Sequence, residues 1–162
     1  MAKYSIEKGN GIFSMRTTVI DRNAFKLCSV VIPASVKRVE TGVFDGCPEL
    51  GSIEVSELNR VYDSRDNCNA IIETETNKLI AGCEKTIIPD SVVMIGKEAF
   101  ARLTGLTSIV IPDSVIKIGE DAFARCSMLT CVNIQNPELN VCFEDVFSDC
   151  DKLIQDSVVY RN

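Results

Sequence analysis

The sequence predicts an α/β solenoid, β-dominated, wound from repeats of about 23 residues with short helical or 3₁₀ turns and one β-hairpin insertion. Three observations carry this. Residues 86–108 (TIIPDSVVMIGKEAFARLTGLTS) and 109–131 (IVIPDSVIKIGEDAFARCSMLTC) are near copies, with Pro89 and Pro112, Phe100 and Phe123, and Leu106 and Leu129 each 23 apart. Within a copy, apolar residues alternate with period two and then break at a proline. A single copy cannot bury its own apolar face, whereas stacked copies each cover the next.

The whole chain, 1–162, reads as one domain. Residues 1–29 form an N-terminal cap or degenerate repeat, in which Ala24, Phe25 and Cys28 mark a shortened copy. Residues 30–52 are a clear copy carrying Pro33, Phe44, Cys47 and Leu50. The irregular unit 53–85 contains CNAIIETETNKLIAGC. Pairing its residues as a hairpin around Thr74-Glu75-Thr76-Asn77 sets Glu73 opposite Lys78, Ile72 opposite Leu79 and Cys68 opposite Cys83. Copies 86–108, 109–131 and 132–155 follow. The last carries Ile134, Phe147, Cys150 and Leu153, with one residue inserted, since Phe147 is 24 past Phe123. In 156–162, the C-terminal end, Asp156-Ser157-Val158 reads as the start of another copy.

Inside a copy, Leu106-x-x-Ile109-x-Ile111 is a short strand with one buried face. Pro112 cannot donate to a ladder and ends it. Asp113 and Ser114 supply turn chemistry. Val115, Ile116 and Ile118 suggest a second short strand, with a bend at Gly119. Glu120 to Arg125 is too short for an independent helix and suits one helical or 3₁₀ turn that points Ala122 and Phe123 inward. Stacking then places Phe44, Phe100 and Phe123 in one column.

The string IPDSVIKIGEDAFARCSMLT resembles the repeat of the BspA-like leucine-rich repeat proteins, found among bacterial surface antigens and in some protozoan parasites. The resemblance spans roughly residues 20–155 and rests on the joint recurrence of Ile-Pro-x-Ser-Val, Ile-Gly, Ala-Phe and Cys-x-x-Leu. Leu103 departs from it, standing where Cys47 and Cys126 stand, and so does the hairpin unit. The segment YDSRDNCNAIIETETNKLIAGC is itself similar to a decoration of that family. The resemblance implies a leucine-rich-repeat solenoid and a binding role, including surface recognition or adhesion, and no catalytic residues.

Composition narrows the function. The net charge of −6 argues against nucleic acid as a partner, since that needs clustered Lys and Arg. No apolar run approaches the roughly 18 residues of a membrane span. Met1 to Asn10 is polar and is no secretory signal; the chain is cytoplasmic, or it is a surface or secreted protein whose leader was removed. Cys47, Cys126 and Cys150 share a repeat position that Leu103 also fills, so it is an apolar slot holding buried thiols. Cys68 and Cys83 face each other in the hairpin register, which allows either a cross-strand disulfide or two free thiols. Cys131 and Cys142 have no clear partner.

Histidine is absent, which removes the usual triad base and proton shuttle. No paired C-x-x-C knuckles suggest zinc. Glu98, Glu120 and Asp121 read as a solvated corner. Asp90-Ser91, Asp113-Ser114 and Asp156-Ser157 read as local turn bonding rather than a calcium ladder, since Ala34-Ser35 lacks the acid. Gly9 and Gly11 lack the strand and third glycine of a phosphate loop. The expectation is therefore a non-enzyme without cofactor or metal.

What remains is the outward strand face. If Leu106, Ile109 and Ile111 point in, then Ser108, Val110 and Pro112 point out. The equivalents are Ser29, Val31 and Pro33; Ser52, Glu54 and Ser56; Lys85, Ile87 and Pro89; Cys131, Asn133 and Gln135. Stacked, they make one sheet face with a Val31, Ile87, Val110 stripe among small polar neighbours. The candidate binding face for a protein partner is Val31, Glu54, Ile87, Ser108, Val110, Asn133 and Gln135. A second reading makes the chain a structural spacer or a self-assembling fragment of a longer repeat protein that associates end to end.

Overall fold

A computed structural model describes the backbone of residues 4–7, 10–13, 19–20, 28–45 and 47–160, with side chains in the last two ranges. The shortened copy at Ala24 and Phe25 lies outside the described residues.

The strands in chain order are β1 (Tyr4–Glu7), β2 (Asn10–Phe13), β3 (Val19–Ile20), β4 (Ser29–Ile32), β5 (Arg38–Val39), β6 (Ser52–Val55), β7 (Tyr62–Asp63), β8 (Ala70–Glu73), β9 (Lys78–Gly82), β10 (Met94–Ile95), β11 (Ser108–Ile111), β12 (Lys117–Ile118), β13 (Cys131–Ile134) and β14 (Val158–Tyr160). One α-helical turn, α1 (Phe143–Val146), follows β13. Strands of successive coils pair in parallel, as a solenoid requires. Among the described residues the strands make four sheets, β1-β2-β4-β6, β11-β13-β14, β12-β10-β9-β8-β7 and β3-β5.

Each coil repeats the same local solution. Strand β11 ends at Ile111, immediately before Pro112, as the missing proline N–H demands. The Val115 N–H then bonds the Pro112 carbonyl at 3.1 Å; Val92 does this to Pro89 at 3.0 Å and Val36 to Pro33 at 3.2 Å. The second strand, Lys117–Ile118, is where the apolar residues placed it. Gly119 follows because a Cβ there would sit 2.5 Å from the Lys97 nitrogen of the preceding coil.

The corner from Glu120 to Arg125 is a run of turns, not the helical or 3₁₀ turn its composition favours. Asp121 (φ 54°) and Arg125 (φ 60°) are left-handed, as are Glu98 (φ 55°), Arg102 (φ 62°) and Gly42 (φ 66°) in earlier coils. Alternate N–H groups then point along the solenoid axis. Glu98, Phe100 and Arg102 donate to the carbonyls of Glu120, Ala122 and Ala124 at 3.2, 2.8 and 2.7 Å. Phe123 and Arg125 donate onward to Val146 and Ser148 at 3.0 and 2.8 Å. This main-chain ladder outweighs helix propensity, which is worth only tenths of a kcal/mol per residue. The residue inserted in the last copy is absorbed by α1, just ahead of Phe147.

The expected single ring column is two clusters. Phe100 and Phe123 stack at 4.9 Å and Phe123 and Phe147 at 5.4 Å, inside a core with Leu103, Cys126 and Cys150. Phe44 belongs to a separate core with Val36, Cys47 and Tyr62. The break lies in the hairpin unit. Gly82 donates to the Ala99 carbonyl at 2.8 Å, the rung that Phe100 occupies one coil later. Gly82 therefore fills the phenylalanine place with no side chain, and a Cβ there would enter the Phe100 ring.

The hairpin has the expected register next to its loop, Glu73 with Lys78 and Ile72 with Leu79. A bulge then shifts it, pairing Ile71 with Ala81 and Ala70 with Gly82. Cys68 and Cys83 are consequently not joined. Both are free thiols, Cys68 in the core of the later coils and Cys83 in that of the earlier ones. The Cys68 thiol donates to Ala70 O, the Cys83 thiol to Asn69 O at 3.5 Å. Burial pushes both thiols up, Cys68 to about 11. Cys47, Cys126 and Cys150 are buried free thiols, while Cys28, Cys131 and Cys142 are exposed.

Candidate functional site

The alternation that built the face is present in β4, β6, β11 and β13. Strands β6 and β11 read exposed-buried-exposed-buried, with Ile53, Val55, Ile109 and Ile111 inside and Ser52, Glu54, Ser108 and Val110 outside. Register aligns Val31 with Glu54 in one sheet. In the other it aligns Val110 with Asn133 and Asn133 with Val159. Val31 is 42 % and Val110 51 % exposed. Asn133 and Gln135 are half-buried.

The face is nevertheless not one sheet. Residues 85–89 form no strand. Ile87, 76 % exposed, donates its N–H to the Cys68 carbonyl at 3.1 Å, so this segment leans on the hairpin unit. The sheet stops at β6 and resumes at β11. Pro89 and Pro112, expected to face outward, are buried, and Pro33 is half-buried; the turn that follows each strand rolls the ring inward.

The break opens two grooves. One, of about 350 Å³, runs between the 86–88 segment and β11 and is lined by Ile87, Ser108, Val110 and Gln135 together with Thr86 and Asp90. It gathers four of the seven predicted face residues, and Asn133 stands in register beside Val110. The other, of about 550 Å³, lies between β6 and the hairpin unit and is polar, lined by Glu54, Glu57, Asp63, Arg65 and Asn69 among others. Glu54 thus belongs to a different groove from Val110, and Val31 lines neither.

The hairpin unit is clamped by residues that the strand pattern does not single out. Arg65 forks onto Asp63, Nε to Oδ1 at 2.8 Å and Nη2 to Oδ2 at 2.7 Å. Its Nη1 reaches Asn77 Oδ1 at 2.7 Å and Ser91 Oγ at 3.3 Å, tying the hairpin loop to the next coil. Burial pushes the Asp63 carboxyl up, but hydrogen bonds from Arg65 and Thr74 outweigh it and hold the group below the usual carboxylate range. The same bond raises Arg65. The signal was Asp63-Ser-Arg65 beside Asn77, polar residues whose meeting depends on the hairpin fold.

The C-terminal end also adds to the face. Asp156-Ser157 do not form the turn after a strand; they lie in a 3₁₀ turn that leads into β14, which pairs with β13 through Val132 and Val158. Val159 and Tyr160 are exposed there. Among the described residues no three His, Cys, Asp or Glu side chains gather as metal ligands, and no helix is long and apolar enough to cross a membrane.

Comparison with known proteins places this geometry. A family model described as the BspA type leucine rich repeat region matches residues 10–80 and 70–159, in six copies. No curated protein matches the chain by sequence. Among solved structures it is similar to a leucine rich cell surface protein from Faecalibacterium prausnitzii, at 23 % identity and a TM-score of 0.60, covering 92 % of this chain and 52 % of that one. It is also similar to a leucine-rich repeat protein from Eubacterium ventriosum, at 23 % identity and a TM-score of 0.57, covering 90 % and 46 %. The chain thus spans about half the length of these two proteins. At such identity the likeness speaks for the fold alone.

Proposed function

Because the chain belongs to the BspA-type leucine-rich repeat family, we propose that it is a non-enzymatic protein-interaction module that binds through its outward strand face. The observation that carries this is the groove where Ile87 and Val110 flank Ser108 and Gln135. Two well-exposed β-branched residues rimmed by small polar ones are what a protein contact uses. The finer reading, recognition or adhesion at a cell surface, is supported by the family resemblance and by the description of the Faecalibacterium prausnitzii protein as a cell surface protein.

The partner need not be identified for the test. A displayed peptide library is selected against the chain, and binders are re-measured on Ile87→Lys/Val110→Lys. Lysine adds charge without touching the core, so the variant folds. Groove binders lose at least about tenfold, roughly 1.4 kcal/mol, while Ile116→Lys, just ahead of the second strand, leaves them unchanged. A binder population indifferent to the double variant would remove the face from consideration.

A second reading, self-assembly as a structural segment, rests on β14. It is an edge strand of its sheet bearing exposed Val159 and Tyr160, and such edges template pairing. Light scattering separates the two: a concentration-independent monomer rules out end-to-end association.

A further inference from the structure

We propose that Cys126 and Cys150 form a redox-modification site, a dithiol that a small-molecule disulfide such as oxidised glutathione converts into a coil-to-coil cross-link. The two residues occupy the same place on adjacent coils. Those coils are hydrogen-bonded like neighbouring strands, Phe123 N to Val146 O at 3.0 Å and Arg125 N to Ser148 O at 2.8 Å. Such neighbours lie roughly 4.8 Å apart, within the roughly 4.4–6.8 Å between Cα atoms that a disulfide spans.

The Cys150 sulfur is aimed at the Cys126 coil. The Cys150 thiol donates to the Phe123 carbonyl at 3.0 Å, and the Cys126 backbone N–H meets that same oxygen at 3.3 Å. Cys150 Sγ therefore points back at the coil that holds Cys126. The Cys126 thiol donates to Phe100 O at 3.1 Å, on the side away from Cys150, so the cross-link requires this side chain to leave that carbonyl and rotate toward Cys150. The interaction between the two thiols raises Cys126 and lowers Cys150. Leu103, at this place one coil earlier, has no sulfur, so the pair is confined to these two coils. Burial ranks them too: Cys126 is fully enclosed, while Cys150 keeps slight exposure on the last complete coil.

The order of events follows. The Cys150 thiolate attacks one sulfur of glutathione disulfide, forming a mixed disulfide and releasing one glutathione thiolate. The Cys126 sulfur attacks Cys150 Sγ, its proton passing to the departing glutathione thiolate; the 126–150 bond forms and the second glutathione leaves as the thiol. Two cysteines are oxidised and one glutathione disulfide is reduced to two thiols, so atoms and electrons balance.

The test incubates the folded chain with glutathione disulfide, alkylates the remaining thiols and maps linkages by mass spectrometry of the digest. The expected product is a peptide pair joining Cys126 to Cys150. Exposed Cys28, Cys131 and Cys142 report that the oxidant is active. Their modification without the 126–150 link, or a different pair as the main product, overturns the proposal. Cys126→Leu keeps the slot filled as Leu103 fills it. In that variant Cys150 stops as the glutathione adduct, and an unmodified Cys150 there overturns the assigned order of attack.

Discussion

Replacing Phe123 by Ala tests the spine of the fold most directly. The ring is fully buried and is the middle member of a stack, 4.9 Å from Phe100 and 5.4 Å from Phe147. A buried Phe→Ala change costs about 3–5 kcal/mol, transfer and cavity together. The upper half of that range applies here for two reasons. Aromatic pairs contribute about 0.5–1.5 kcal/mol each beyond area, and two are lost at once. The cavity also cannot collapse, because main-chain bonds at 2.8 and 3.0 Å fix the coil spacing on both sides. The assay is urea unfolding followed by circular dichroism, with Ile116→Ala as the exposed control at under about 0.5 kcal/mol. Phe123→Ala also severs the ring contact between the 86–108 and 132–155 coils, so the transition broadens as well as shifting, as nearest-neighbour stacking predicts. A loss below about 1.5 kcal/mol with a sharp transition would refute the column as the element that couples these coils.

Two further outcomes follow from the hairpin unit. Gly82→Ala places a methyl group in the Phe100 ring, and Phe100 is itself held by Phe123, so the variant loses about 1–3 kcal/mol from overpacking on urea titration; an unchanged midpoint would contradict the assignment of Gly82 to the phenylalanine place. Asp63, held below the usual carboxylate range despite burial, contributes stability that is present above its unfolded value near about 4 and is lost as pH falls through its lower folded value. The wild-type urea midpoint therefore falls more steeply than that of Asp63→Asn as pH is lowered through that window, and parallel curves would rule out the Arg65 clamp as a stabilising contact.

What could be read from the sequence divides along physical lines. The strands Ser108–Ile111 and Lys117–Ile118 and the stop at Pro112 were legible because period-two burial and a missing N–H are local properties. The hairpin was legible as far as Glu73 and Lys78, whose charges face each other beside the loop. Its bulge was not, because the slip after Ile72 leaves both neighbours apolar. The corner was misread for a different reason. Glu-Asp-Ala-Phe-Ala-Arg contains good helix formers, and only the neighbouring coil, by offering carbonyls to alternate N–H groups, selects left-handed Asp121 and Arg125. On the face, Ser108 and Val110 fell where alternation put them. Glu54 and Val31 were separated from them because the hairpin unit supplies no strand at 85–89, and the groove beside Ile87 exists only through that interruption.

The corner ladder has a consequence for how such a chain can lengthen. Its rungs are amide to carbonyl, so a coil recognises its neighbour by backbone alone and asks of the side chains little beyond a ring, a small residue and a slot-filler. A 23-residue segment is then an interchangeable cassette. Duplicating one that carries a strand like β11 extends the molecule by one rung and adds two outward strand positions to its displayed surface, while the joints above and below stay as they were. Recognition and architecture can drift independently.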